Sequence, residues 1–286
     1  MLPSSLPGLA PLRTWPAPAR RGLVGVLTDI DDTLTTAGAI TADALAALGA
    51  LKAAGLWVIP VTGRPVGWSA PFAAAWPVDA LVAENGAVAL LRPAQDGDQN
   101  GLQGNTGQLE QLSKIYQQDA ATRAAHFARM QAVLAQIERT VPGAQRATDS
   151  AGRETDIAID HSEFTHLAPA AIAEVVAQMQ AAGMNATVSS IHVNGWFGTH
   201  NKWDGACWIV RERLGRDLAA ELDRWVYVGD STNDQGMFER FQHSVGVANI
   251  ARFVPQLQHL PSYVTPGERG AGFAEMARFI LQEKGL

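Results

Sequence analysis

The chain has 286 residues, 47% hydrophobic and 17% charged, with a formal net charge of −6 and a single cysteine. That length supports a sizeable core in one or two domains, while the acidic balance argues against nucleic acid or an anionic membrane as a general partner. Cys207 stands alone, which excludes an internal disulfide. Apolar neighbours at helical spacing make it a core residue, and its isolation fits a reducing, cytoplasmic compartment.

Pro3, Pro7, Pro11, Pro16 and Pro18 interrupt any signal-peptide core and predict an irregular arm over 1–21. No later apolar stretch is long enough to cross a bilayer. The run from Leu23 to Leu27 reads as a strand buried on both faces, as in a parallel sheet. It leads directly into Thr28-Asp29-Ile30-Asp31-Asp32-Thr33. Open parallel sheets hold ligands at the carboxyl ends of their strands, and two carboxylates two residues apart need a cation or a shared proton between them. A solvated acidic turn is the plainer reading of the same residues. A calcium loop of EF-hand type is set aside, because Ile40 stands where the bidentate Glu belongs and a strand precedes the loop.

Thr41 predicts an N-cap for a helix that stops at Gly55, with Ile40 and Leu45 as a hydrophobic staple. Leu56 to Val61 is the next buried strand, ending in Thr62-Gly63-Arg64-Pro65, where Pro65 suits the first turn of a helix carrying Val66, Phe72 and Trp76. Val78 to Ala83 is a third strand, and Glu84-Asn85-Gly86-Ala87 turns it into Val88 to Leu91. This alternation predicts a parallel sheet with right-handed crossovers.

The rhythm then changes. Pro93 to Gly107 reads as a loop, and a helix over 110–140 places Phe127, Met130, Leu134, Ile137 and Val141 on one stripe. Glu154 to Asp160 alternates like a half-exposed strand, Pro169 to Ala182 is an amphipathic helix ended by Gly183, and Ala186 to Phe197 is a strand or a hairpin around Asn194-Gly195. Residues 88–197 thus read as an α+β domain inserted into the first. From Asn201-Lys202 the opening pattern returns. A helix over 203–214 precedes the strand Trp225 to Val228, which ends in Gly229-Asp230-Ser231-Thr232-Asn233-Asp234. A helix through Met237 and Phe241, strands at Ser244 to Val247 and Tyr263-Val264, and a helix from Ala271 to Leu281 complete a core of 22–87 and 198–286. The expected class is α/β, a Rossmann-like parallel sheet with helices on both faces.

Asp29, Asp31, Thr62, Lys202, Asp230 and Asp234 lie at strand ends and a helix start that such a sheet gathers on one edge. Individually each has a structural explanation as a cap, a turn residue or a surface lysine. As an ordered set, Asp-x-Asp-x-Thr, Thr-Gly-Arg, a lone Lys and Gly-Asp-x-x-Asn-Asp resemble the four motifs of the haloacid dehalogenase (HAD) superfamily of phosphohydrolases. An insertion between the second and third motifs, preceded by Glu-Asn-Gly-Ala, is similar to the large α/β cap of the Cof-type and sucrose-phosphate-phosphatase-like branch.

The resemblance implies a magnesium-dependent phosphatase acting on a small phosphorylated metabolite, with sugar phosphates first. It makes Asp29 the nucleophile and Asp31 the acid and base. It gives Mg2+ to Asp29, the Asp31 backbone carbonyl and Asp230, the phosphoryl oxygens to Thr62, Gly63 and Lys202, and an outer orienting role to Asn233 and Asp234. Arg64, His192 and Asn194 are candidates for substrate contact, and Arg64 equally for bracing an acid. If 186–197 is one strand, Ser190, His192, Asn194 and Trp196 share a face, although packing within the cap explains His192 and Trp196 as well. Two departures stand out: Asp32 occupies a position where Cof-type members usually carry Gly, and Trp203-Asp204 rather than Gly follows Lys202. A phosphomutase, a receiver module and a silent binding protein stay open as alternatives, and oligomeric state is not legible.

Overall fold

The structure, a computed structural model, describes residues 8–92 and 112–285. The loop expected over Pro93 to Gly107 and the expected helix start at 110 lie outside those residues. In chain order, β1 (Ala10–Pro11) and the short helix α1 (Ala17–Arg21) precede β2 (Gly25–Thr28), a small ribbon of β3 (Thr35–Thr36) and β4 (Ala39–Ile40), α2 (Ala42–Ala53), β5 (Trp57–Pro60), α3 (Val66–Ala75) and the hairpin of β6 (Leu81–Ala83) and β7 (Val88–Leu91). Next come β8 (Ser113–Tyr116), α4 (Ala120–Thr140), β9 (Gln145–Arg146), β10 (Ile157–Asp160), α5 (Pro169–Ala181), β11 (Asn185–Val188) and β12 (His192–Trp196). The last elements are α6 (Lys202–Leu214), β13 (Trp225–Gly229), α7 (Gln235–Arg240), β14 (His243–Gly246), β15 (Tyr263–Val264) and α8 (Arg269–Leu281).

The main sheet is parallel, in the order β1-β15-β14-β13-β2-β5. Its strands are buried on both faces and sort their side chains between two clusters. Val26, Val58 and Val226 pack with Leu48, Phe273 and Met276 on one side; Leu27, Ile59 and Tyr227 pack with Ile209, Val210 and Phe238 on the other. Side-chain alternation along a strand forces this division, and helices on both faces are its consequence. The strand Val78 to Ala83 shortens to β6, which joins the main sheet only through the bridge Val61–Val82 and otherwise pairs with β7.

A second layer of structure has its own core. The sheet β11-β12-β10-β9 is antiparallel, and α4 and α5 cover one face of it through Met130, Leu134, Ile137, Val175 and Met179 packed on Ile157, Ile159 and Val193. The opposite face presents Ala158, Asp160, His192 and Asn194, which oppose one another across β10 and β12. No helix among the described residues is long and apolar enough to cross a membrane.

Several expectations need correction. Residues 1–21 are not wholly irregular: Ala10 and Pro11 form the edge strand beside β15, and Trp15 is buried against Tyr263 at 5.4 Å. Pro65 is the N-cap of α3 rather than its first residue. Residues 113–116, expected in a helix, form β8 and pair with β7, and Val88, Leu90 and Ile115 pack into the main-sheet clusters. Phe127 leaves the apolar stripe and is 37% exposed. Residues 157–160, expected half-exposed, are fully buried: Ile157 and Ile159 meet α4 and α5, and on the other face Asp160 accepts the N–H groups of Ser162, Glu163, Phe164 and Thr165. The hairpin turn falls at Ser189-Ser190-Ile191, not at Asn194-Gly195. Gly195 is glycine because a Cβ there would lie 2.6 Å from the Met179 sulfur. With 186–197 broken into two strands, the supposed single face reduces to β12, and Ser190 joins the site from the turn.

Candidate active site

Asp29 follows the end of β2, where its N–H donates to the Val228 carbonyl at 2.8 Å. Lys202 is the first residue of α6, whose N-cap Asn201 accepts a bond from the Asp204 N–H at 2.9 Å. The seat of this helix is set by two glycines. A Cβ on Gly86 would lie 2.2 Å from the Asn201 carbonyl oxygen, and one on Gly205 2.5 Å from the Gly86 Cα, so the turn after β6 and the start of α6 touch backbone to backbone. Buried Lys202 then reaches Asp29 Oδ1 and Asp234 Oδ1, both at 2.7 Å.

Asp234 is saturated. Its Oδ1 also accepts from the Tyr227 hydroxyl at 2.5 Å, and its Oδ2 accepts the N–H groups of Asp230 and Ser231 at 2.9 and 3.2 Å. Asp230 differs: Oδ2 accepts from Asn249 at 2.9 Å, but buried Oδ1 has no hydrogen-bond partner among the described residues. Oxygens of Asp29, Asp230 and Asp234 lie within 4.8 Å of one another. Burial, reinforced by Asp29 and Asp234, pushes the Asp230 carboxyl well above its ordinary range, and burial lifts Asp29 to about 7 against the pull of Lys202. For Lys202 burial acts downward, but Asp234 and Asp29 outweigh it and hold the ammonium charged. Three buried carboxylates against one ammonium, with an orphaned oxygen among them, are a donor set that fits a hard divalent cation. Since Asp234 is already fully engaged, the available carboxylate ligands are Asp29 and Asp230.

A small closed cavity beside Asp29 is bounded by Asp31, Thr62, Asn233, Ser190, His192 and Asn194. Thr62 is buried and its Oγ1 accepts from the Arg64 N–H at 3.1 Å; the Gly63 carbonyl accepts from Arg153 at 3.1 Å and Asn194 at 3.2 Å. Asn233 takes the Ser231 hydroxyl at 2.8 Å. The structure therefore gathers all the residues expected from the four motifs, and brings His192 and Asn194 to them from the second layer.

Arg64 braces an acid. Its Nε and a terminal nitrogen grip Asp31 at 2.9 Å, and its other contacts are Glu163 at 2.6 Å and Asp149 at 3.0 Å. Glu163 in turn meets His192 Nε2 at 2.9 Å. Burial works against Glu163, yet His192 and Arg64 hold its carboxyl down at about 2. A second branch runs from Asp149 through buried Arg153 to Asp156, which also accepts from Asn85 and Asn194. Burial is the main cause that raises Asp156 to about 7, with Arg153 opposing. Thr232 of the core closes a further contact, 2.6 Å to the Val188 carbonyl.

Glu163, Asp149, Arg153, Asp156 and Asn249 were not singled out from the sequence. They sit at no motif spacing, and only the fold shows that acids and arginines of the second layer converge on Arg64. Glu84 and Asn85 carried a signal. Asn85 and Gly86 take the positive φ, 55° and 109°, that an Asn-Gly turn requires, and buried Glu84, at φ 49°, accepts the N–H of Val66 at 3.0 Å and of Glu154 at 3.0 Å.

Residues 26–162 match the family model of haloacid dehalogenase-like hydrolases. A comparison with curated protein sequences finds no match. Among solved structures, a Thermoplasma acidophilum protein is similar at 14% identity and TM-score 0.66, covering 91% of this chain and 98% of its own. The sucrose-phosphatase of Synechocystis, solved with sucrose and phosphate, is similar at 16% identity and TM-score 0.60, over 90% and 97% of the two chains. The C-terminal domain of Candida albicans trehalose-6-phosphate phosphatase is similar at 12% identity and TM-score 0.63, over 99% and 100%. At such identities the likeness is one of fold. Residues 26–162 thus match the model of the haloacid dehalogenase-like hydrolases, and over some nine-tenths of its length the chain carries the fold of these neighbours.

Proposed function

We propose that this hydrolase is a magnesium-dependent phosphatase that cleaves a phosphomonoester of a small metabolite, a sugar phosphate in the first instance, through an aspartyl-phosphate intermediate. The observation that carries the reading is the meeting of Asp29, Lys202, Asp234 and the unpartnered Asp230 oxygen at one rim of the parallel sheet. The likeness in fold to a sucrose-phosphatase and to a trehalose-6-phosphate phosphatase domain supports the substrate class.

Asp29 attacks phosphorus while the ester oxygen leaves, and water then cleaves the acyl phosphate, so one difficult displacement becomes two easier ones. Asp31, at the edge of the same cavity, gives a proton to the leaving oxygen and recovers one from the water, a role worth about 10²–10⁴-fold. Lys202 neutralises the nucleophile and holds a phosphoryl oxygen, assisted by Thr62 and the backbone of Gly63. A divalent ion held by Asp29 and Asp230, with the Asp31 carbonyl as a further ligand, would supply charge neutralisation at the phosphoryl oxygens. The second layer, from α4 to β12, acts as the cap: its β11–β12 turn and His192 border the cavity and exclude water during transfer.

The test is phosphate release from p-nitrophenyl phosphate with and without magnesium, followed by a panel of phosphorylated metabolites. Asp29→Asn is expected to cut turnover by on the order of 10⁴-fold or more with the circular dichroism spectrum unchanged. Near-normal turnover in that variant would remove Asp29 from its role.

A further inference from the structure

The small cavity at Asp29 adjoins a much larger cleft, about 1220 Å³, between the two layers. The two share Asp31, Arg64, Ser190 and Ile191. If Asp31 protonates the leaving oxygen, the body of the leaving group lies on the far side of Asp31, in this cleft. One wall is apolar, formed by Ile172, Val176 and Val188. The other wall belongs to the core and carries Asp32, Arg252 and Arg269.

Asp32 binds both arginines at once, Arg252 through Oδ2 and Arg269 through Oδ1, each at 2.9 Å. The two guanidinium groups are thereby held side by side while remaining 44% and 34% exposed. The terminal nitrogens of Arg269 meet no acceptor among the described residues. Arg252 also reaches Asp230 Oδ2 at 3.4 Å, so its charge is shared between two carboxylates, and the donors left free at this end of the cleft are the terminal nitrogens of Arg269. At the opposite end, Asp31 and Glu163 are both engaged by Arg64.

Backbone conformation adds an independent argument. Asp32 and Arg269 both hold left-handed backbone, φ 55° and 53°, which costs on the order of 1 kcal/mol for a residue with a side chain. The ordinary solution at such positions is glycine. Here both strained positions carry charged side chains, and those side chains bind each other. Partly exposed ion pairs contribute little to stability, so folding does not account for the arrangement.

We infer that Arg252 and Arg269, aligned by Asp32, form a binding site for a second acidic group, a carboxylate or a phosphate, on the leaving-group portion of the substrate. The inference rests on the phosphatase reading and narrows it to phosphomonoesters whose alcohol is itself anionic. Arginine's planar fork suits either anion.

The experiment has three arms on the full chain. Phosphate release from p-nitrophenyl phosphate with magnesium tests the phosphatase reading alone. Pairs of phosphomonoesters matched in size, one with a carboxylate or second phosphate in the alcohol and one neutral, are then compared by kcat/KM. We expect the anionic member to lead by at least about tenfold in the wild type. Arg269→Gln should reduce that ratio to about threefold or less through KM, leave p-nitrophenyl phosphate turnover unchanged, and be partly rescued by Arg269→Lys. If p-nitrophenyl phosphate is hydrolysed but the matched pairs are turned over equally, or if Arg269→Gln leaves their ratio intact, the second-anion site is overturned while the phosphatase reading stands. If no phosphate is released from any ester, the reading beneath it fails instead.

Discussion

The two sides of the closed cavity are built on different principles. On the core side, Asp29, Asp234 and Lys202 stand at the ends of a strand and the starts of helices, and their geometry follows from backbone: a parallel register, a glycine contact and an N-cap. On the other side, Arg153, Asp149, Glu163, His192 and Asn194 are held mainly by side chains, one another's and those of Arg64 and Asp156, with the Gly63 carbonyl as the backbone acceptor. A site fixed by backbone needs few residues and tolerates little drift in their identity. One fixed by side-chain ion pairs can be rewritten residue by residue, which suits a layer that would set specificity.

Removing charge from each side should expose this contrast. Lys202→Met leaves Asp29 and Asp234 buried without their ammonium, and the cost is expected near 3–5 kcal/mol of unfolding free energy in urea without divalent cation. A loss below about 1 kcal/mol would mean that the core side does not depend on its lysine.

Asp156 offers a smaller effect with a defined pH window. Its folded pKa, about 7, lies above its unfolded value of 3.8, so the folded state holds the extra proton. The stabilisation relative to an ionised Asp156 is complete below about pH 4 and is lost as pH rises through 7. The stability of the wild type relative to Asp156→Asn should therefore fall by on the order of 2–4 kcal/mol between pH 4 and 8. A difference that stays flat with pH would show that Arg153 keeps Asp156 ionised throughout.

Arg64 is the joint between the two sides. Lysine cannot grip Asp31 with two nitrogens while reaching Glu163 and Asp149. Arg64→Lys is expected to slow alkyl phosphates, which need a well-placed acid, by about tenfold, and p-nitrophenyl phosphate much less. Equal slowing of both would assign Arg64 to phosphate binding instead. Least affected should be Phe127→Ala, within about 0.5 kcal/mol of wild type by thermal melt, since the ring is 37% exposed.

The same contrast governs what could be read from the sequence. Buried strands announce themselves as apolar runs, and the polar residues immediately after them share an edge by topology alone, so the motif residues of the core were legible. Glu163 and Asp149 were not, because nothing in their local spacing says that they will meet Arg64, 99 and 85 positions away. The hairpin at 189–191 was misplaced for a related reason. Asn194-Gly195 has the composition of a turn, yet the glycine answers to Met179 packing across the sheet. Asp32 was noted only as a departure, and its left-handed backbone explains why glycine is usual there.

The outermost strand of the main sheet deserves a last consequence. Ala10–Pro11 flanks β15, and proline has no amide hydrogen to offer a further strand. That border is thus sealed against recruiting another chain, while Trp15 anchors the seal against Tyr263. Deleting the first fifteen residues would uncover β15, and the expected result is self-association rather than a merely shorter enzyme.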